Sequence, residues 1–132
     1  MTDETKTKVL LIDDERFLLE IYGVKFLKEG FDVFTCVSVD EALDVLRKGY
    51  AADVILLDIT MPEKDGYVFL DSIKAEGLAQ GSIKIALTNE GQDAEKQRIM
   101  ELGADAHVLK ASMIPSEVVS MVVKMLKEKR GT

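Results

Sequence analysis

Four places in this 132-residue chain put a reactive side chain at the end of a short apolar run. Val9-Leu10-Leu11-Ile12 runs into Asp13-Asp14-Glu15, and Val54-Ile55-Leu56-Leu57 stops on Asp58. Ile83-Lys84-Ile85-Ala86-Leu87 ends in Thr88, and Ala106-His107-Val108-Leu109 ends in Lys110. A carboxylate in such a place is not core filling, because an unpaired buried one costs several kcal/mol. It is solvated, paired or holding a cation. Carboxylates, a hydroxyl and a flexible ammonium brought together would bind a phosphoryl group without a glycine-rich loop.

Whether they meet depends on the elements that carry them. The apolar runs are too short for helices and rich in branched residues, so they read as strands buried on both faces. The first covers Lys8 to Ile12; a helix follows from about Glu15 to Glu29, with Leu18, Ile21, Tyr22 and Phe26 inward and Gly30 as its stop. Phe31 to Thr35 is a strand, and Ser38 with Glu41 is a capping box for a helix reaching Gly49. After the Asp53–Asp58 strand, Met61-Pro62-Glu63-Lys64-Asp65-Gly66 is turn chemistry that forbids helix for several residues. Helices are expected from about Gly66 to Glu76 and Ala94 to Leu102. A last one starts near Pro115 and ends near Lys129.

Strand–helix repeated five times predicts an α/β fold, a five-stranded parallel sheet with helices on both faces. Right-handed crossovers leave few topologies. In the order 2-1-3-4-5, ligands bind where strand order reverses, between the first and third strands. Those are the strands ending in Asp13-Asp14 and Asp58. Three converging carboxylates repel one another, and a hard divalent cation relieves them; Mg²⁺ needs only two carboxylates and a carbonyl besides its waters.

The bulk composition narrows the function. With 47% apolar and 31% charged residues the chain has an ordinary globular composition, and its length fits one domain. A net charge of −7 argues against direct nucleic-acid binding, although Lys124, Lys127, Lys129 and Arg130 crowd the last helix end. The single cysteine, Cys36, reads as a small buried hydrophobe. Residues 1–7 read as a flexible segment with no apolar core of a signal peptide, and no run approaches membrane-spanning length. A cytoplasmic protein without membrane contact is expected, and no output domain is expected after the last helix.

The set Asp13-Asp14, Asp58 with Met61-Pro62-x-x-Asp65-Gly66, Thr88, Gly103-Ala104-Asp105 and Lys110 resembles the receiver (CheY-like) domain of two-component response regulators. The match spans residues 8–130, and the chemistry falls on the strand ends in the right order. A stand-alone receiver is expected, and the resemblance implies Asp58 as its phosphoacceptor. The donor would be a phosphohistidine on a sensor histidine kinase or a histidine phosphotransfer protein. It implies Mg²⁺ (or Mn²⁺) held by Asp14, Asp58 and the backbone carbonyl of Thr60, with Asp13 acting through water. Lys110 would neutralise one phosphoryl oxygen and the Thr88 hydroxyl would swing to another. The outcome would be switched binding of a downstream target, and not enzymatic turnover beyond slow autodephosphorylation.

Several positions depart from the family pattern. Ala111 stands where a proline with a cis bond is usual; a cis bond before alanine costs about 2.5–4 kcal/mol, so a trans bond is predicted. His107 occupies the switch-aromatic position. It reads either as a strand histidine with a satisfied ring or as a switch whose burial depends on protonation. Thr60, Asn89 and Glu90 flank the site's mouth and would tune the phosphoryl lifetime. On the first helix Phe17, Val24 and Leu27 form a second apolar stripe, either covered by loops or docking a partner's helices. The last helix (Val118, Val119, Met121, Val122, Val123, Met125, Leu126) is apolar beyond what one sheet face needs.

Rival readings are weaker. A haloacid-dehalogenase-type phosphatase needs a second Asp where Thr60 stands. A flavodoxin-like carrier would have its phosphate repelled by Asp13-Asp14-Glu15. The alternative that survives is a receiver-like interaction module independent of phosphorylation, motivated by Ala111 and His107.

Overall fold

A computed structural model describes residues 6–89 and 91–131. In chain order the elements are β1 (Lys8–Ile12), α1 (Arg16–Lys28), β2 (Asp32–Cys36), α2 (Val39–Arg47), β3 (Val54–Asp58) and α3 (Gly66–Glu76). They continue with β4 (Ile83–Thr88), α4 (Asp93–Glu101), β5 (Ala106–Leu109) and α5 (Pro115–Arg130). The strands form one sheet in the order β2-β1-β3-β4-β5, and every pairing is parallel.

Alternation along the strands splits the core in two. Leu10, Ile12, Ile55, Leu57 and Ala86 face α2, α3 and α4, meeting Ala42, Leu46, Phe69, Ile73 and Ile99. Val9, Leu11, Val54, Leu56, Ile85 and Leu87 face α1 and α5, meeting Leu19, Tyr22, Phe26, Val118, Val122 and Leu126. Each large side chain buried this way contributes roughly 1.5–3 kcal/mol relative to exposure. Cys36 lies within the first layer, and its burial pushes the thiol up to about 12.

Local chemistry fixes the ends. Ser38 Oγ accepts the Glu41 N–H at 3.1 Å, and Pro115 opens α5 at its first position. Asp65 caps α3, its Oδ1 accepting the Val68 N–H at 3.0 Å. The Thr7 carbonyl accepts the Asp32 N–H at 2.8 Å, and residues 1–5 of the expected flexible segment lie outside the described residues.

One expectation is corrected. The inner face of α1 is Leu19, Tyr22, Gly23 and Phe26, whereas Leu18 and Ile21 are only half-buried. Leu18 and Leu19 are adjacent and equally apolar, so spacing alone does not choose between them. Gly23 belongs to the buried face, where a Cβ would stand 3.9 Å from Val33 of β2.

Candidate functional site

The pairing of the sheet brings the expected strand ends together. Ile12 of β1 is in register with Leu57 of β3, so Asp13 and Asp58 leave the sheet side by side. The ladder continues past the strands: Asp13 N–H donates to the Cys36 carbonyl at 3.1 Å, Ile59 N–H to Leu87 at 3.1 Å, and Lys110 N–H to Thr88 at 2.8 Å. These bonds hold the backbone on which the side chains stand, so the site rests on rigid sheet.

Asp13 and Asp58 are 3% and 2% exposed, and Asp14 beside them is exposed. One oxygen from each of Asp13, Asp14 and Asp58 lies within 4.8 Å of the others. Lys110 reaches in from β5, its Nζ 3.2 Å from Asp58 Oδ1 and 3.4 Å from Asp13 Oδ2. Backbone donors complete the set: Glu15 N–H to Asp13 Oδ1 at 2.9 Å and Thr60 N–H to Asp58 Oδ1 at 3.3 Å. Thr88 is buried at the end of β4, the neighbour of β3.

The electrostatics record the crowding. Burial, and then the nearby Asp13 charge, push the Asp58 carboxyl from 3.8 up to about 6, against the pull of Lys110 and the Thr60 N–H. Burial likewise raises Asp13, opposed by the Glu15 N–H and Lys110. For Lys110 burial acts downward, but Asp58 and Asp13 outweigh it and the ammonium is held above its ordinary value. Three acids against one lysine leave a negative surplus. The donors are all hard oxygens, the set that suits Mg²⁺ or Mn²⁺ and not a soft metal.

The remaining expected residues fall around this centre. The Lys110–Ala111 bond is trans, as no cis peptide occurs among the described residues. His107 is half-buried on β5, in register with Ala86. Thr60 and Asn89 are exposed and line a cleft of about 290 Å³ with Ile59, Met61, Asp65, Tyr67 and Glu95. Glu90, expected to flank the same mouth, lies outside the described residues. Phe17, Val24 and Leu27 lie on α1 and are 73%, 49% and 60% exposed, so no loop among the described residues covers them.

Two features escaped the sequence reading. A Cβ at Gly66 would fall 2.6 Å from Ile59 Cδ1 and 2.8 Å from its Cα, so only glycine lets α3 start against the Asp58 strand end. The Asp65-Gly66 pair was the signal for it. The other is a stack of Arg98 on Tyr67, the guanidinium carbon 3.9 Å from the ring centroid, which joins α4 to α3. No local spacing announces a pair drawn from two helices.

Comparison with known proteins agrees with this geometry. The model of the response regulator receiver domain matches residues 9–123. A probable transcriptional regulator, ycf27, of Guillardia theta is 36% identical over 107 residues, covering 81% of this chain and 41% of that protein. The transcriptional regulatory protein CpxR of Escherichia coli (strain K12) is 35% identical over 103 residues, covering 78% of this chain and 42% of its own. The chain thus spans less than half the length of these curated relatives. The crystal structure of a response regulator receiver domain protein (CheY-like) from Methanospirillum hungatei JF-1 superposes with a TM-score of 0.84 at 22% identity. It covers 96% of this chain and 98% of that one.

Proposed function

Because this chain belongs to the response regulator receiver domain family, we propose that Asp58 accepts a phosphoryl group from a histidine kinase or phosphotransfer protein in a Mg²⁺-dependent phosphorelay. The observation that carries the reading is the buried Asp58 carboxylate, 3.2 Å from the Lys110 ammonium and clustered with Asp13 and Asp14.

In the transfer, a carboxylate oxygen of Asp58 attacks phosphorus in line. A P–O bond forms while the P–N bond to the donor imidazole breaks, and that bond's electron pair returns to the ring nitrogen. Positioning and charge stabilisation do most of the work in such a reaction. Asp58 is set by the rigid β3 end, Lys110 offsets charge on one phosphoryl oxygen, and the Thr88 hydroxyl offers a hydrogen bond to another. Asp13, Asp14, Asp58 and the Thr60 carbonyl would hold the cation, which supplies positive charge to phosphoryl oxygens in a pocket of surplus acid. No role as a turnover enzyme is proposed beyond slow hydrolysis of the aspartyl phosphate.

Phosphorylation adds charge and acceptor oxygens beside Thr88, which biases two packings of the β4–α4 and β5–α5 units and so the face offered to a target. His107, half-buried on β5, would follow that change. The exposed Phe17, Val24 and Leu27 on α1 would seat the donor's helices. No helix among the described residues is long and apolar enough to cross a membrane, and the proposed setting is the cytoplasm.

Incubation with Mg²⁺ and acetyl phosphate followed by intact mass tests this directly. The expected result is an adduct of about 80 Da, one phosphoryl group, absent from Asp58→Asn. No adduct on the wild-type chain in repeated, rapidly quenched runs would leave the phosphorylation-independent interaction module in its place.

A further inference from the structure

The wall that α4 supplies to the cleft lined by Ile59 and Thr60, the two residues that follow Asp58, is lightly held. α4 has nine residues, fewer than a helix needs to persist alone in water. It buries one side chain, Ile99, and its N-cap residue, Gln92, makes no side-chain cap. Among the described residues, the Arg98 guanidinium stacked on Tyr67 ties it to α3, well within cation–π range. Tyr67 in turn is fixed to the Asp58 strand end, because the Gly66 N–H donates to the Ile59 carbonyl at 2.9 Å and the two backbones are in contact. The position of α4 is therefore referred to the phosphoacceptor through Tyr67.

One turn before Arg98 stands Glu95, half-buried and lining the cleft with Thr60 and Asn89. An acid in a first helical turn ordinarily complements the helix dipole. Asp93 sits in the same turn, is exposed, and is not part of the cleft lining, so it supplies that service without facing the mouth. Glu95 has no ion pair within 4.0 Å among the described residues.

We propose that Glu95, held at the cleft wall by the Arg98–Tyr67 stack, is a phosphodonor-selecting residue that discriminates against small, highly charged free donors. The inference rests on Asp58 being the phosphoacceptor. Glu95 takes no part in bond making. Its carboxylate repels a dianion entering the cleft more than a donor of lower net charge. A phosphohistidine presented by a protein surface brings its own compensating contacts.

The test compares acetyl phosphate, a dianion at neutral pH, with phosphoramidate, which carries a lower net charge. Rates of adduct formation on the full chain are read by intact mass with saturating Mg²⁺. Glu95→Gln is expected to raise the acetyl phosphate to phosphoramidate rate ratio roughly two- to fivefold at low ionic strength, with the gain shrinking as salt is added. Asp93→Asn removes the same charge from the same turn and should leave the ratio unchanged. Tyr67→Leu releases α4 without changing charge, so it should raise the ratio in wild type and add nothing to Glu95→Gln. An unchanged ratio in Glu95→Gln, or an equal shift in Asp93→Asn, overturns the proposal while the adducts themselves leave the phosphoacceptor reading standing. Absence of any wild-type adduct from both donors overturns that reading and this one together.

Discussion

Lys110 Nζ stands 3.2 Å from Asp58 Oδ1 although the peptide bond that follows Lys110 is trans. The ammonium also lies 3.4 Å from Asp13 Oδ2, so a single cation bridges the two buried acids. With alanine at position 111 the sequence left the placement of this side chain open. The structure brings it to the acids by the Lys110 N–H to Thr88 carbonyl bond of 2.8 Å, which continues the β4–β5 ladder past its last pair. One lysine does not neutralise three carboxylates, and the consequences can be measured.

The first is a pH dependence of stability. In the folded protein the Asp58 carboxyl is pushed up to about 6 from an ordinary 3.8. Between those values the native state holds a proton that the unfolded chain has released. The stabilisation from this group is complete below the unfolded value and is lost as pH rises through the folded one. Asp13, also raised by burial, acts with the same sign. Calorimetry of the metal-free protein should therefore show the wild-type melting temperature falling relative to that of Asp58→Asn as pH rises from about 4 to about 7. Saturating Mg²⁺ should flatten the difference. A gap between the two proteins that stays constant across this range would count against a strained carboxylate.

The second concerns the cation itself. Asp14→Asn and Asp58→Asn each remove an anionic oxygen from the cluster, and each should weaken Mg²⁺ binding by about tenfold or more in titration calorimetry. Lys110→Met should act in the opposite direction, because it removes an ammonium that competes for the same oxygens. Weaker binding in the Lys110 variant would show that the lysine orders the acids and does not oppose the metal.

Much of this arrangement was legible in the sequence, because β1, β3, β4 and β5 are largely apolar runs that each stop on a polar group, whereas the mostly exposed β2 carries no site residue. Asp58 marks the end of β3 and Thr88 the end of β4 within the residue expected. Periodicity failed where a helix is apolar on more than one side: in α1, Leu18 and Leu19 compete, and only the sheet decides between them. Spacing also says nothing about pairs between separate elements. Nothing in the spacing of either helix marks Arg98 or Glu95, whose surroundings are set only when α3 and α4 lie side by side.

Gly66 offers a steric prediction. An added Cβ would meet Ile59 Cδ1 at 2.6 Å, the Ile59 Cα at 2.8 Å and the Asp58 carbonyl oxygen at 3.0 Å, two of them backbone atoms that cannot swing away. Gly66→Ala should destabilise by about 1–3 kcal/mol in urea unfolding and slow adduct formation by displacing the Asp58 strand end. Gly81→Ala, where a Cβ meets open space, should stay within about 0.5 kcal/mol of wild type. Equal stability of the two variants would mean that α3 can shift away from β3 without cost.

The α1 stripe gives a prediction that separates docking from folding. Phe17, at 73% exposure, contributes little packing, and Val24 and Leu27 border an open groove between α1 and β2. Truncating Phe17 to alanine should change stability by no more than about 0.5 kcal/mol. If α1 seats the helices of a phosphohistidine protein, the loss of a large aromatic anchor should slow transfer from that protein about tenfold or more. The rate with acetyl phosphate should stay unchanged, because a small donor needs only the pocket at the strand ends. Parallel time courses with the two donors decide the matter. Equal slowing in both would place the effect on Asp58 itself, and no slowing in either would remove this face from the transfer complex.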